Sequence, residues 1–126
     1  MITRGLLVAS QFDHTVREYD GTTGAFVRVA ASALGDPLGV VIGLDGNLLV
    51  SDGQTDQVKR YDSGTGAFID VFASANLAGP TGMTIHQGVL YITNSNPPQG
   101  VQKFDATTGV NTGNLYPRSL TPARWT

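Results

Sequence analysis

"GLDGNLLVSDGQTDQVKRYDSGTGAF" (residues 43–68) decides the architecture, because the chain contains it more than once. Forty-two positions earlier stands "LLVASQFDHTVREYDGTTGAF" (residues 6–26), and "GVLYITNSNPPQGVQKFDATTGV" follows at residues 88–110. The alignment brings together Leu6, Leu48 and Leu90, then Val16, Val58 and Val101, then Tyr19, Tyr61 and Phe104. Asp20, Asp62 and Asp105 fall in line after them, as do Gly24, Gly66 and Gly109, and Pro37, Pro80 and Pro122. The spacing is 42 with one-residue slips in loops, so three units account for the chain. A period of this size marks a stacked array whose units bury their apolar faces only against one another.

Within the middle unit the pattern reads as four short strands. "GVVIGL" (39–44) is a compact apolar run closed by Asp45-Gly46-Asn47, a hairpin signal. "NLLVSD" (47–52), "QVKRYD" (57–62) and "AFIDVFAS" (67–74) follow, the last after a glycine turn at 63–66. Residues 27–34 carry some helical propensity, but Phe68, Ile69, Val71 and Phe72 at the matching places favour an extended strand. Four antiparallel strands in a unit of about 40–45 residues is the blade of a β-propeller. The expected fold is therefore all-β, with three four-stranded blades in one domain over residues 1–126.

With the strands labelled a to d from the central axis outward, residues 6–30 supply strands b, c and d of the first blade. The second blade occupies 37–74 and the third 80–116. Residues 120–126 align with a strand a, since Pro122 matches Pro80 and Trp125-Thr126 match Met83-Thr84. Three blades do not close a ring, because rings run from about four blades upward. The reading is a homodimer forming a six-bladed ring, in which strand a of each copy completes the first blade of the other, a Velcro closure that removes an unpaired edge. Pro122, Trp125, Leu6 and Val8 are the expected interface residues. A trimer of nine blades and a fragment of a longer chain are the alternatives.

Composition narrows the partners. Eight basic and ten acidic residues are dispersed without a Lys/Arg cluster, so no nucleic acid is expected. The longest apolar stretch, 38–44, is too short to span a bilayer, and the N-terminal apolar run is shorter than a secretory core. The expectation is a soluble chain with no membrane partner and an unknown compartment. Without cysteine, neither disulfides nor thiolate chemistry are available.

"PLGVVIGLDGNLLVSDGQTDQVKRYD" (37–62) resembles the NHL repeat, and the whole chain is similar to the wider propeller group that includes the NHL, SMP-30/gluconolactonase and streptogramin lyase proteins. The "YDGTTGAF" run is especially similar to propeller repeats of bacterial secreted or surface proteins. The resemblance implies six blades and ligands met at the loops between strands b and c or at the entry to strand a. SMP-30-like enzymes hold a divalent metal with Asn or Asp just before the glycine that opens strand a; here Leu38, Thr81 and Ala123 stand at those places and cannot ligate a hard cation. Streptogramin lyases pair a His with a metal-bound Glu, whereas the single glutamate, Glu18, falls in a strand c. No metal and no cofactor are expected.

Three residues remain as candidates for ligand binding. Asp13 and His14 are adjacent in the first b-to-c loop, where an imidazole can serve as base or ligand near neutral pH, or the pair can simply hold a turn. Arg124 replaces the glycine of the inner strand, so two copies per ring would offer paired guanidinium groups to a carboxylate or phosphate, or would pair within the seam. His86 is expected at a solvent-facing turn, and Asp20, Asp62 and Asp105 are expected to cap the glycine turns. No residue is assigned to catalysis. The functional expectation is a non-catalytic binding or scaffold module whose ligand is a small molecule, glycan or protein; the alternative is a small hydrolase or lyase completed only in the ring.

Overall fold

The computed structural model describes residues 5–96 and 100–115. In chain order the strands are β1 (Gly5–Ser10), β2 (Thr15–Asp20), β3 (Phe26–Ala31), β4 (Pro37–Ile42), β5 (Leu48–Asp52), β6 (Gln57–Tyr61), β7 (Phe68–Ala73), β8 (Pro80–His86), β9 (Val89–Asn94), β10 (Gly100–Asp105) and β11 (Asn111–Asn114). They form three antiparallel sheets in the orders β1-β2-β3, β4-β5-β6-β7 and β8-β9-β10-β11. No helix among the described residues is long and apolar enough to cross a membrane. The place given to a further strand a, 120–126, lies outside the described residues, as do Pro122, Arg124 and Trp125.

Local chemistry accounts for the strand ends. Pro37 and Pro80 open β4 and β8, where a missing N–H costs no ladder bond. The first strand of the second sheet begins at Pro37 and stops at Ile42, not at 39 and 44 as the apolar run suggests. Gly43 is already in the turn, donating to the Asn47 carbonyl at 2.8 Å and accepting from Gly46 N–H at 3.0 Å. The Ala-rich segment forms strand β3, with no helical turn.

One turn design recurs between strands c and d. Asp20 Oδ1 accepts the N–H groups of Thr22 and Thr23 at 2.7 and 2.9 Å. Asp62 does so with Gly64 and Thr65, and Asp105 with Thr107 and Thr108. Gly24, Gly66 and Gly109 then take φ of 78°, 79° and 80°, a left-handed geometry open to glycine. The backbone N–H bonds hold all three carboxyls below the ordinary aspartate range.

The core lies between sheets rather than within them. Side chains alternate along each strand, so one face of the middle sheet places Leu48, Val50 and Tyr61 against Val16, Ala30 and Leu34 of the first. Its other face places Leu49, Val58 and Ala73 against Leu90, Ile92 and Phe104 of the third. Strand β5 is consequently buried along its whole length. Phe104→Ala is expected to cost about 3–5 kcal/mol in urea denaturation, the usual range for emptying a buried aromatic site. Phe68→Ala, at a side chain 55% exposed, should cost about 1 kcal/mol, chiefly its edge-to-face contact with Tyr61.

Candidate functional site

The loops joining b to c and those joining d to the next a share one face. Leu34 N–H donates to the His14 carbonyl at 3.2 Å, Gly53 N–H to Asp36 at 2.9 Å and Ser95 N–H to Gly79 at 2.9 Å. Asp13 and His14 are placed on this face, both exposed, but each serves a different structural bond. Asp13 accepts from Ser10 Oγ at 2.8 Å and lies 3.6 Å from the Arg17 guanidinium. His14 Nδ1 lies 2.7 Å from the Gly35 carbonyl. Since a carbonyl only accepts, Nδ1 carries the proton in that bond. No hydrogen bond joins the Asp13 and His14 side chains among the described residues.

The repeat explains His14. It aligns with Asp56, and the two take the same left-handed backbone, φ 61° and 58°. Asp56 Oδ1 accepts from Gly79 N–H at 2.7 Å, so at both positions the side chain ties its b-to-c loop to the glycine before the next strand a. One bond is made through a donor and the other through an acceptor.

Asp52 is the most deeply placed charge of this face, with its side chain fully shielded from solvent. It accepts from the N–H groups of Gly35, Asp36 and Gln54 at 2.9, 2.9 and 3.0 Å, and from Lys59 Nζ at 2.9 Å. Burial pushes its carboxyl up, but the Gly35, Lys59, Asp36 and Gln54 bonds together outweigh it and leave the group below the ordinary aspartate value. In the third sheet Asn94 takes this place and accepts from Ala78 N–H at 3.0 Å while donating to the Asn76 carbonyl at 2.9 Å. Sequence reasoning passed over Asp52; the aligned series Ser10, Asp52, Asn94 is the signal that finds it. Phe12, at the tip of the first loop and 94% exposed, was passed over as well, and no periodicity marks it.

On the opposite face, a cavity of about 230 Å³ opens between the second and third sheets, lined by Leu44, Asp45, Arg60, Phe72 and Thr107 among others. Its arginine is already engaged: Arg60 forms two bonds to Asp70, at 2.9 and 2.6 Å, and one to Asp45 at 3.0 Å. Its guanidinium also sits 5.4 Å from the Phe72 ring centre. His86 stands exposed at the end of β8 beside the Gln87-Gly88 turn. Among the described residues no three His, Cys, Asp or Glu side chains gather where they would hold a metal ion.

No family model and no curated protein matches the chain. Solved structures do. Hydrazine synthase of Kuenenia stuttgartiensis is similar over 90% of this chain and 32% of its own, with a TM-score of 0.70 and 19% identity. A protein titled as a gluconolactonase matches over 82% of this chain and 35% of its own, with a TM-score of 0.67 and 20% identity. The computationally designed Ika4 protein matches over 83% and 62%, with a TM-score of 0.58 and 10% identity. The fold is of the β-propeller type. The chain spans about a third of the length of the first two of these structures, and at such identities the likeness concerns fold alone.

Asp52→Ala leaves three N–H groups and the Lys59 ammonium without their acceptor and is expected to cost about 3 kcal/mol. Asp52→Asn, the residue type present at 94, should cost clearly less in the same urea titration. Asp20, Asp45, Asp52, Asp62 and Asp105 are all held below the ordinary aspartate value in the folded state, chiefly by backbone N–H bonds. Depressed carboxyls contribute stability above the unfolded value that is lost as pH falls through the folded ones. The melting temperature should therefore be level from pH 7 to about 5 and fall steadily below about pH 4.

Proposed function

We propose that this chain is a non-catalytic binding or scaffold module of the NHL/SMP-30-like propeller group, acting as a homodimeric six-bladed ring. Its ligand, a small molecule, glycan or protein, meets the b-to-c loop face or the central channel. One observation carries this reading: the polar side chains of the loop face are engaged in holding loops together. Asp13 is bonded to Ser10, His14 to Gly35, Asp52 to three amides and Lys59, and Asp56 to Gly79. Of these groups His14 keeps its Nε2 lone pair out of the scaffold, but among the described residues no hydroxyl or other nucleophile is hydrogen-bonded to it, as a general base would require.

Self-association is supported by exposure at the ends of the array. Leu6 and Val8 are 56% and 40% exposed, whereas their counterparts Leu48 and Val50 are at 1% and 0%. Apolar strand faces left open in this way are association surfaces. A second reading is a small hydrolase or lyase with a pocket completed only in the ring, for which the outward Nε2 of the exposed His14 is the available base.

Light scattering on the purified chain separates these possibilities at the level of assembly, and the expected particle has twice the 13.2 kDa chain mass. A single-chain particle at micromolar concentration removes the ring. Incubation of that particle with simple lactones, with and without added divalent cations, should give no hydrolysis above buffer; sustained turnover would replace the binding module with the hydrolase.

A further inference from the structure

Resting on the reading that the chain self-associates, we infer that the seam between copies is a third edition of the layer joining the sheets within one chain, formed head to tail. The head is the open face of the first sheet and the tail the open face of the third. Three features of the internal layers have one half at the head and the other at the tail.

The apolar contact comes first. Leu48, Val50 and Tyr61 fill the first layer, Leu90, Ile92 and Phe104 the second, all 4% exposed or less. Leu6, Val8 and Tyr19 hold the matching places at the head. On the other side, Leu49 and Val58 of the middle sheet are buried against the third. Tyr91 and Val101 occupy those places at the tail, because alternation turns Leu90, Ile92 and Phe104 the other way.

The glycine turns add a steric match. A Cβ on Gly66 would come within 2.8 Å of the Ala30 carbonyl oxygen of the preceding sheet, and one on Gly109 would overlap the Phe72 carbonyl oxygen. Gly24 has nothing within 4 Å. By the same spacing its missing neighbour is the carbonyl of Leu115, exposed at the tail.

Charge gives a third match. Glu18 pairs with Arg28 at 2.7 Å and Arg60 with Asp70 at 2.6 Å. Lys103 and Gly113 take these places in the third sheet, and Lys103 has no ion-pair partner among the described residues. Arg28 also reaches across its layer to the Ser63 carbonyl at 2.7 Å, in the turn that corresponds to Gly21 at the head. Gly113 takes the place of Arg28 and offers no donor, so Lys103, its cross-strand neighbour, is the cation the tail has for that turn on the next copy. A second copy of this chain is the partner whose faces carry these features in the same register.

Val8→Asp and Tyr91→Asp, each folded by circular dichroism, test the seam by light scattering alone and mixed. Either alone should raise the dissociation constant about a hundredfold or more, since each buries an unpaired charge at both seams of a two-copy ring. Mixed, they should recover association, because the intact tail of one meets the intact head of the other. If only one of the two variants dissociates, or if the mixture stays single, the head-to-tail seam is overturned while self-association stands. If the unaltered chain is itself single, both fall. As a steric check, Gly24→Asn should weaken association at least about tenfold. Gly46→Asn, at a glycine with φ of 88° and equally open space but away from both faces, should not; equal effects overturn the register.

Discussion

A sheet that is apolar on both faces cannot bury itself, and the whole structure answers to that constraint. β5 shows it most plainly: Leu48 and Val50 are buried against one neighbour and Leu49 against the other, so the strand has no solvent side. Such a strand is stable only in the middle of a stack. Hydrophobic burial of roughly 25 cal/mol per Å² acts between sheets here, and the hydrogen-bonded ladders within each sheet only hold the faces in shape.

The turns serve the same end. Each Asp-x-Thr/Gly-Thr-Gly corner satisfies its own amides through one carboxylate, so it needs no help from elsewhere and can be repeated without change. The left-handed glycine at the corner also lets the turn press on the carbonyl of the preceding sheet. A side chain there would separate the layers. Local backbone chemistry and long-range packing thus set the same residue for two reasons.

The loop face is ordered by a different economy. Asp52 replaces backbone partners for Gly35, Asp36 and Gln54, and Lys59 balances its charge. In the third sheet the neutral pair Asn94 and Gln102 stands where Asp52 and Lys59 stand in the second, so charge and countercharge change together. Charge reversal also separates Glu18–Arg28 from Arg60–Asp70. The pairing is kept between these two sheets whichever strand carries the cation, and it lapses in the third, where Lys103 faces Gly113.

By itself the sequence determined the period, the strands and the aspartate turns. These depend on alternation and on bonds between residues two or three apart, and both are written in neighbouring letters. His14 was legible as a loop residue, but its tie to Gly35, 21 positions away, was not. Nor did the letters distinguish the exposed Asp13 from the shielded Asp52, since both are aspartates in equivalent loops. Tertiary structure decided these, because burial and hydrogen-bond partners are set by the sheet that packs alongside. It also decided that Leu6 and Leu48, identical in the repeat, differ from 56% to 1% in exposure: the same residue is surface or core according to whether a neighbouring sheet covers it.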